Sequence, residues 1–319
     1  MFMRRLALLL CFALPLSSGA RVTRADVEQM LDRLSNWGRW GSSDELGALN
    51  LITREKRKQA AALLREGSVI SLAHPAIKES TDDSPPFEHR MLETGLDSKT
   101  GASDAYAVRY HGFTVTHVDA LCHIFWNGKM YNGFSQREVT DKGAGKLSIE
   151  RLRHGIVTHA ILVDLPRLFG SKYLDGKRAV YPEDLDAWEK KFNIHPGPGD
   201  ALLFRTGRWA RRAAEGAWRI MENSAGLHAS CLPWLKKRDV AVVGSDLATD
   251  VMPSGIEGIV LPVHLVLIRG MGVPILDNLD LEAVSEFAAS RQRWEFLLTV
   301  APLVVEGGTG SPINPLAAF

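Results

Sequence analysis

The sequence predicts an α/β or α+β layered domain, and two kinds of segment support this. Short apolar runs bounded by glycine, proline or aspartate occur at 160–165, 201–205 and 240–243 and indicate buried strands. Helical segments at 182–191 and 232–237 lie between or after them. Such alternation is typical of a sheet covered by helices. At 319 residues the chain can form one large domain or two closely packed ones.

The N-terminal third contributes further elements. Thr53 is placed to cap a helix that runs to about Glu66, where Gly67 follows as a stop signal. Residues 68–72 (SVISL) indicate a strand. Residues 78–104 are polar and rich in turn formers, so we expect a long surface loop, of the kind that often covers a binding site.

The first twenty residues have the layout of a signal peptide. Two arginines precede an apolar run at 6–16, and small residues lead to Ala20. We therefore expect cleavage after Ala20, a single domain over 21–319, and a secreted or periplasmic protein. The apolar run is well short of the roughly 20 residues that span a bilayer, so a retained membrane anchor is the lesser alternative.

Charge and motif content exclude several classes of function. The net charge is +1 and the basic residues are spread along the chain, so nucleic acid is not expected as a partner. The sequence shows no phosphate-binding glycine loop, nucleophile elbow or dinucleotide fingerprint. Nucleotide chemistry and serine-hydrolase chemistry therefore lack support.

The segment 110–123 contains three histidines and an aspartate. His117 and Asp119 are two residues apart, so on an extended chain both side chains project from one face. An imidazole beside a carboxylate forms half of a divalent-metal site suited to zinc or manganese. His123 can approach the same pocket if the chain turns. The alternative is that the pair is only a hydrogen-bonded structural couple.

A second group of polar residues lies near the C-terminus. Residues 258–270 indicate a helix with a proline in its first turn, a glycine stop and His264 in its apolar middle. A buried histidine needs a partner, which could be a carbonyl, a carboxylate or a metal. Asp277 follows a short strand at 273–276 and could face a site, or it could cap the helix expected from about Leu281.

The run 116–123 resembles the His-x-Gly-Thr-His-x-Asp-x-Pro-x-His signature of the cyclase/kynurenine formamidase-like family. Supporting matches occur in order along the chain, at 40–47, 199–207, 244–246 and 276–279. The resemblance covers roughly residues 36–315. It rests on this ordered set, since no single match would suffice.

The resemblance implies a swivelling β/β/α fold that holds one or two divalent ions, usually zinc or manganese, in a homodimer or higher homo-oligomer. Carried over by position, His117 and Asp119 would be metal ligands and His123 the catalytic acid/base. His264 would bind a second metal or complete the site, and Asp277 stands where the family usually has glutamate. The near-neutral intrinsic pKa of histidine suits both proton transfers expected of His123.

The sequence also departs from the signature. The first histidine, normally a ligand, is replaced by Phe113, its glycine by Val115 and its proline by Leu121. His111 is two residues from Phe113, but a straight strand would hold it about 20 Å from His117, so it can substitute only if the chain loops back. A single-metal site is therefore at least as well supported as a binuclear one, and a metal-free site stays open.

Two further side chains are candidates for substrate binding. Trp40 could stack on an aromatic substrate, with a core role as the alternative. Arg205 could orient a substrate carboxylate, with a solvated strand end as the alternative.

These observations predict a metal-dependent hydrolase, arylformamidase-like or cyclase-like, that cleaves a small amide, formamide, lactone or cyclic imide. Metal-activated water would attack the carbonyl, with His123 as acid/base. One alternative is a small-molecule-binding protein that keeps the fold but has lost the metal. Another is a secreted structural or interaction module.

Overall fold

The computed structural model describes residues 22–83 and 85–319. The predicted signal peptide at 1–20 lies outside the described residues. Among the described residues, no helix has the length and apolar character needed to cross a membrane.

A nine-stranded mixed sheet organises the fold and confirms the predicted mixture of helices and strands. We number its strands in chain order: β1 (Val69–Ser71), β2 (His117–Asp119), β3 (Ile156–Asp164), β4 (Ala201–Arg205), β5 (Val242–Ser245), β6 (Ile275–Asp277), β7 (Glu295–Val300), β8 (Gly310–Pro312) and β9 (Leu316–Ala318). Their spatial order is β1-β9-β7-β3-β4-β5-β6-β2-β8. The central strands β3 to β6 are parallel, and the other pairings are antiparallel.

Eight helices accompany the sheet in the described part of the chain: α1 (Arg24–Arg33), α2 (Arg54–Ala61), α3 (Leu165–Phe169), α4 (Pro182–Phe192), α5 (Arg208–Glu215), α6 (Leu232–Lys237), α7 (Pro262–His264) and α8 (Glu282–Arg291). Helix α7 continues directly as a π-helix over Leu265–Met271. Short 3₁₀ helices cover Gly47–Leu51, Tyr131–Gly133, Gln136–Glu138, Ile149–Leu152, Ile220–Glu222 and Ala229–Cys231. Minor strand pairs join Val139–Thr140 to Gly143–Ala144 and Ala179–Val180 to Gly226–Leu227.

Helix α2 begins as predicted but ends early. The Thr53 side chain accepts a hydrogen bond from the Lys56 amide and so caps the helix. The helix ends at Ala61 and not near Glu66, because the chain here turns towards the edge of the sheet. The Glu66 backbone N–H donates a hydrogen bond to the Phe319 carbonyl, so Glu66 pairs with the C-terminal segment and not with a preceding helical turn.

The predicted loop at 78–104 contains a β-hairpin formed by Glu88–Glu93 and Ser103–Ala107. Its first strand is exposed along its whole length and its second along nearly all of it, so neither shows the alternation that marks a half-buried strand.

The helix predicted over 258–270 is shorter at its N-terminal end in the structure, because it starts at Pro262. Pro262 has no backbone N–H and fits the first turn of a helix, where that group would be unpaired.

The core is built around the central parallel strands. All five residues of β4 and all four of β5 are buried, as expected for strands covered on both faces. Strand β2 is also fully buried, although two of its three residues are polar. It lies between β6 and β8, and this position brings ionisable side chains into the interior.

Candidate metal centre

Strand pairing places two predicted site residues opposite each other. In the antiparallel β2–β6 pair, His117 lies across from Asp277, and His117 Nε2 is 4.0 Å from Asp277 Oδ2. Asp119 is two residues further along β2 and projects from the same face, with its Oδ1 3.4 Å from His117 Nε2. The expectation that His117 and Asp119 share one face therefore agrees with the geometry.

His264 reaches the same cluster from helix α7. Asp250 accepts hydrogen bonds from the Val263 amide, the His264 amide and His264 Nδ1, at 2.6, 3.1 and 2.7 Å. This carboxylate both caps the helix and orients the ring. His264 Nε2 then lies 3.1 Å from Asp277 Oδ2 and 4.0 Å from Asp119 Oδ2.

His111 also reaches the cluster, contrary to the separation expected for a straight strand. The chain bends between His111 and β2, and Gly112 has a φ of 154°, which favours glycine. The ring centroids of His111 and His117 are 5.4 Å apart, where a straight strand would give about 20 Å. His111 Nδ1 lies 2.9 Å from Asp119 Oδ1.

Two groups of side chains in this cluster have the spacing of metal ligands. One is His111, His117 and Asp119, and the other is Asp119, His264 and Asp277. Within each group the ligand atoms lie within 4.8 Å of one another. Asp119 belongs to both, so the arrangement could serve one ion or two ions that share a carboxylate.

The contacts in the cluster fit a cation between the side chains. His117 Nδ1 bonds to the Val115 carbonyl and so carries a proton, which leaves Nε2 facing Asp119 as an acceptor in the neutral ring and as a donor in the protonated ring. If His264 Nδ1 likewise donates to Asp250, its Nε2 is an acceptor facing Asp277. Acceptors that face one another require a proton or a metal ion between them.

Unsatisfied atoms and uncompensated charge support the same interpretation. His111 Nδ1, Asp119 Oδ1 and Asp277 Oδ1 are buried without a well-aligned hydrogen-bond partner. In the described part of the chain, no lysine or arginine forms an ion pair with either carboxylate. Although burial alone would raise it, His111 and His117 hold the pKa of Asp119 well below its usual range, so this group is ionised. A divalent cation would balance the two carboxylates.

His123 borders the cluster on its open side. Its Nε2 is 3.9 Å from Asp119 Oδ2, and its ring stacks in parallel on His111 with centroids 3.9 Å apart. The side chains of His111 and His123 are each 28% exposed, whereas His117, Asp119, His264 and Asp277 are buried. Burial lowers the pKa of His123 to about 4, below the near-neutral value that its residue type predicts. At neutral pH the ring is therefore neutral, with a nitrogen free to act as a base, but it is a weaker base than its residue type predicts.

The two predicted substrate-binding residues make their contacts elsewhere. Trp40 packs against the Arg39 guanidinium, which pairs with Asp239. Arg205 is only 5% exposed, so the alternative of a solvated strand end is wrong. Its guanidinium pairs with Asp164 and Glu282.

The contacts of the described residues include no hydrogen bond or ion pair from Trp40 or Arg205 to the cluster. A substrate role for Arg205 is not supported, because its guanidinium already serves two carboxylates and the Lys172 carbonyl.

Sequence reasoning missed Asp250 and undervalued His111. Asp250 lies 13 residues before Val263, a separation that carries no helical or strand periodicity. A signal for His111 was present in Gly112, because a glycine at this point allows the chain to leave the extended path that the 20 Å distance assumed.

The fold and the cluster define an α/β protein with a candidate divalent-metal centre. The cyclase family model matches residues 60–251 of the chain. The chain therefore belongs to the cyclase family, as the resemblance predicted. No curated relative matches the sequence.

Solved structures extend the comparison over most of the chain. A crystal structure of a novel cyclase is 30% identical with a TM-score of 0.80, and the match covers 90% of this chain and 98% of that chain. Isatin hydrolase A from Labrenzia aggregata, bound to benzyl benzoate, is 20% identical with a TM-score of 0.60 over 82% and 97% of the two chains. Isatin hydrolase A from Ralstonia solanacearum is 22% identical with a TM-score of 0.57 over 82% and 95%. The isatin hydrolases share the fold.

Proposed function

We propose that the protein is a metal-dependent hydrolase that cleaves a small amide, formamide, lactone or cyclic imide. One observation carries the proposal: buried imidazoles and carboxylates converge on Asp119 at the spacing of metal ligands, and one oxygen each of Asp119 and Asp277 lacks a well-aligned hydrogen-bond donor. A structural polar cluster would pair these atoms. The arrangement is the one expected of a site built to hold a cation.

In this proposal His111, His117, Asp119, His264 and Asp277 hold the metal. The bound ion would supply the positive charge that lowers the pKa of a nearby water and polarises a substrate carbonyl. His123 Nε2, neutral at physiological pH, accepts the proton of the attacking water and returns it to the leaving nitrogen or oxygen. His111 and His123 lie on the exposed side, so substrate approaches over their rings.

A cavity near β2 supports a small-molecule substrate. It has a volume of about 470 Å³ and is lined in part by Phe87, Val108, Arg109 and Val115. The Val115 carbonyl accepts the His117 Nδ1 hydrogen bond, so one residue of the cavity wall contacts the cluster. This volume is in the range of small-ligand sites. Because proteins named isatin hydrolases share the fold, cyclic amides are the first class to test.

The donor set of imidazoles and carboxylates suits zinc or manganese. A decisive experiment is metal quantification on protein purified without chelators, followed by a hydrolysis screen over formamides, lactones and cyclic imides. We expect one or two equivalents of a divalent metal, and hydrolysis that chelation abolishes and metal restores. A protein that takes up no metal yet binds such a compound would instead be the metal-depleted binding protein.

We also propose that the protein is exported and forms a homodimer or higher homo-oligomer. Export rests on residues 1–20 and predicts a mature N-terminus near Arg21. Mass spectrometry of the native protein tests this, and light scattering tests the assembly. A native peptide that begins at Met1 would contradict export.

A further inference from the structure

We propose that Arg208 and Asn278 are positioning residues that hold the segment 112–115 in the bend that brings His111 to the metal centre. Arg208 is the first residue of α5 and is almost completely buried. Its Nη2 donates to the Phe113 carbonyl, and its Nη1 donates to Asn278 Oδ1 at 2.9 Å. One guanidinium thus joins the bent segment to the residue that follows β6.

Asn278 holds the same segment at both ends. Its Nδ2 donates to the Gly112 carbonyl at 2.7 Å and to the Val115 carbonyl at 3.1 Å. Its own carbonyl accepts a hydrogen bond from Thr116 Oγ1 at 2.7 Å. Asn278 adopts a φ of 55°, a left-handed conformation that asparagine tolerates better than most residues. This backbone turns the side chain from the end of β6 towards the segment.

The bend needs such support because this segment precedes β2 and lies outside the sheet. The carbonyls of Gly112 and Phe113 would otherwise lack the partners that a strand supplies, and the Val115 carbonyl would keep only its bond to His117 Nδ1. His111 itself is held mainly through its ring, by Thr309 Oγ1 at 2.9 Å and by stacking on His123. The Phe113 side chain also packs against a small buried apolar cluster, and the clamp formed by Arg208 and Asn278 adds the hydrogen bonds to the backbone of the segment.

The predicted long loop is attached to the same guanidinium. Asp83 lies in this loop and is buried, with its Oδ2 3.8 Å from Arg208 Nη2 and 2.7 Å from Arg212 Nε. Arg212 belongs to the same helix as Arg208, but its side-chain contacts are to Asp83 and Thr81. The two arginines therefore differ in one relevant respect, since only Arg208 bonds to the bent segment.

The inference rests on the proposed metal centre with His111 as a ligand, and cobalt(II) is a suitable probe. Its visible absorption reports the ligand set, and chelator competition gives its affinity without any assay of activity. We expect Arg208→Lys and Asn278→Asp to weaken cobalt binding by roughly 10- to 100-fold, the range for partners that orient metal ligands. Their cobalt spectra should shift towards that of His111→Ala.

In Asn278→Asp the loss of hydrogen bonds and the added charge change the cobalt affinity in opposite directions. It keeps the acceptor for Arg208 and removes both donors to the segment, but adds a negative charge beside the site. Charge alone would strengthen cation binding. Weaker binding would therefore identify the lost hydrogen bonds as the cause.

Arg212→Lys is the matched control, because it disturbs Asp83 and leaves the segment untouched. We expect its cobalt affinity and spectrum to match the wild type even if thermal stability falls. Thermal unfolding of every variant shows that each is folded under the conditions of measurement. If Arg212→Lys weakened cobalt binding as much as the clamp variants do, the effect would come from general destabilisation and the clamp proposal would be wrong.

Three failures can be told apart. If His111→Ala weakens cobalt binding and both clamp variants bind as the wild type does, the clamp is wrong and the metal centre stands. If His111→Ala binds cobalt normally while His117→Ala does not, the metal centre excludes His111 and the clamp has no ligand to position. If His117→Ala also binds normally, the proposed function fails.

Discussion

Two buried clusters of charged side chains differ in how their polar atoms are satisfied. The metal cluster consists of His111, His117, Asp119, His264 and Asp277. The Arg205 cluster consists of Asp164, Arg167, Arg205, Glu282 and Ser285. Both contain two carboxylates and lie at the ends of sheet strands. Burial and the number of carboxylates alone therefore do not separate them.

The difference lies in the donors. Asp164 accepts hydrogen bonds from Arg205 Nη1, the Arg167 amide and the Ser285 hydroxyl, and Arg205 also donates twice to Glu282. Two arginines balance two carboxylates in this cluster. In the metal cluster, Asp119 Oδ1 and Asp277 Oδ1 have no well-aligned donor. Unsatisfied acceptors, and not buried charge as such, therefore indicate a cation site.

The largest expected effect comes from removing a ligand of the metal cluster. His117→Ala should lose the metal and lower hydrolysis by roughly 10³-fold or more, since a bound ion contributes several kcal/mol to the transition state. Metal analysis and kcat/KM measure the two losses. His195→Ala removes an exposed histidine and serves as the control. Normal metal content in His117→Ala would contradict the proposed ligand set.

A smaller loss is expected from the residue on the open side of the cluster. His123→Ala should keep the metal and lose about 10²- to 10⁴-fold in kcat, the typical share of general acid/base catalysis. The same two measurements apply. If metal content falls as far as it does in His117→Ala, His123 is a ligand and the division of roles is wrong.

The local part of both clusters could be predicted from sequence. The apolar runs at β3 and β4 identify buried strands, because burial on both faces demands continuous hydrophobicity. His117 and Asp119 share a face through strand geometry alone. The hairpin beginning at Glu88 was not predicted, because its exposed strands carry no burial pattern.

The non-local part could not be predicted. His111 reaches Asp119 through a bend at which Asn278, more than 160 residues away, bonds to the Gly112 carbonyl. Arg205 looked available for a substrate because sequence does not reveal which carboxylate will neutralise a buried guanidinium. That choice is made by the packing of α8, which brings Glu282 over the end of β4.

Breaking the Arg205 cluster should affect stability and leave the metal in place. Arg205→Met removes the guanidinium that balances the charge of the buried Asp164 carboxylate. Loss of one partner of a buried ion pair lowers the free energy of unfolding by about 3–5 kcal/mol. Urea unfolding measures the change, and cobalt binding to the folded variant should equal that of the wild type. Weakened cobalt binding in folded Arg205→Met would show that the two clusters are coupled and would contradict the expectation that they are independent.

His159 extends the comparison to a histidine whose two nitrogens are both satisfied. Its Nδ1 is 2.7 Å from Asp200 Oδ1 and its Nε2 is 3.1 Å from Glu295 Oε1. Although burial alone would lower it, these two carboxylates raise the pKa of His159 to about 9. Lys56 also pairs with Asp200, so the site keeps one cation when His159 is neutral.

Because the pKa in the folded protein lies above the unfolded value of about 6.5, the stabilisation is complete below pH 6.5. It is lost as the pH rises through about 9. We expect the free energy of unfolding to fall by about 2 kcal/mol over this interval, allowing for the exposure of Glu295, and to fall much less in His159→Gln. Urea unfolding at pH 6 and pH 9.5 measures the difference. Metal content should be the same in both proteins, since His159 has its own partners, and a variant that kept the full pH dependence would show that His159 is not the titrating group.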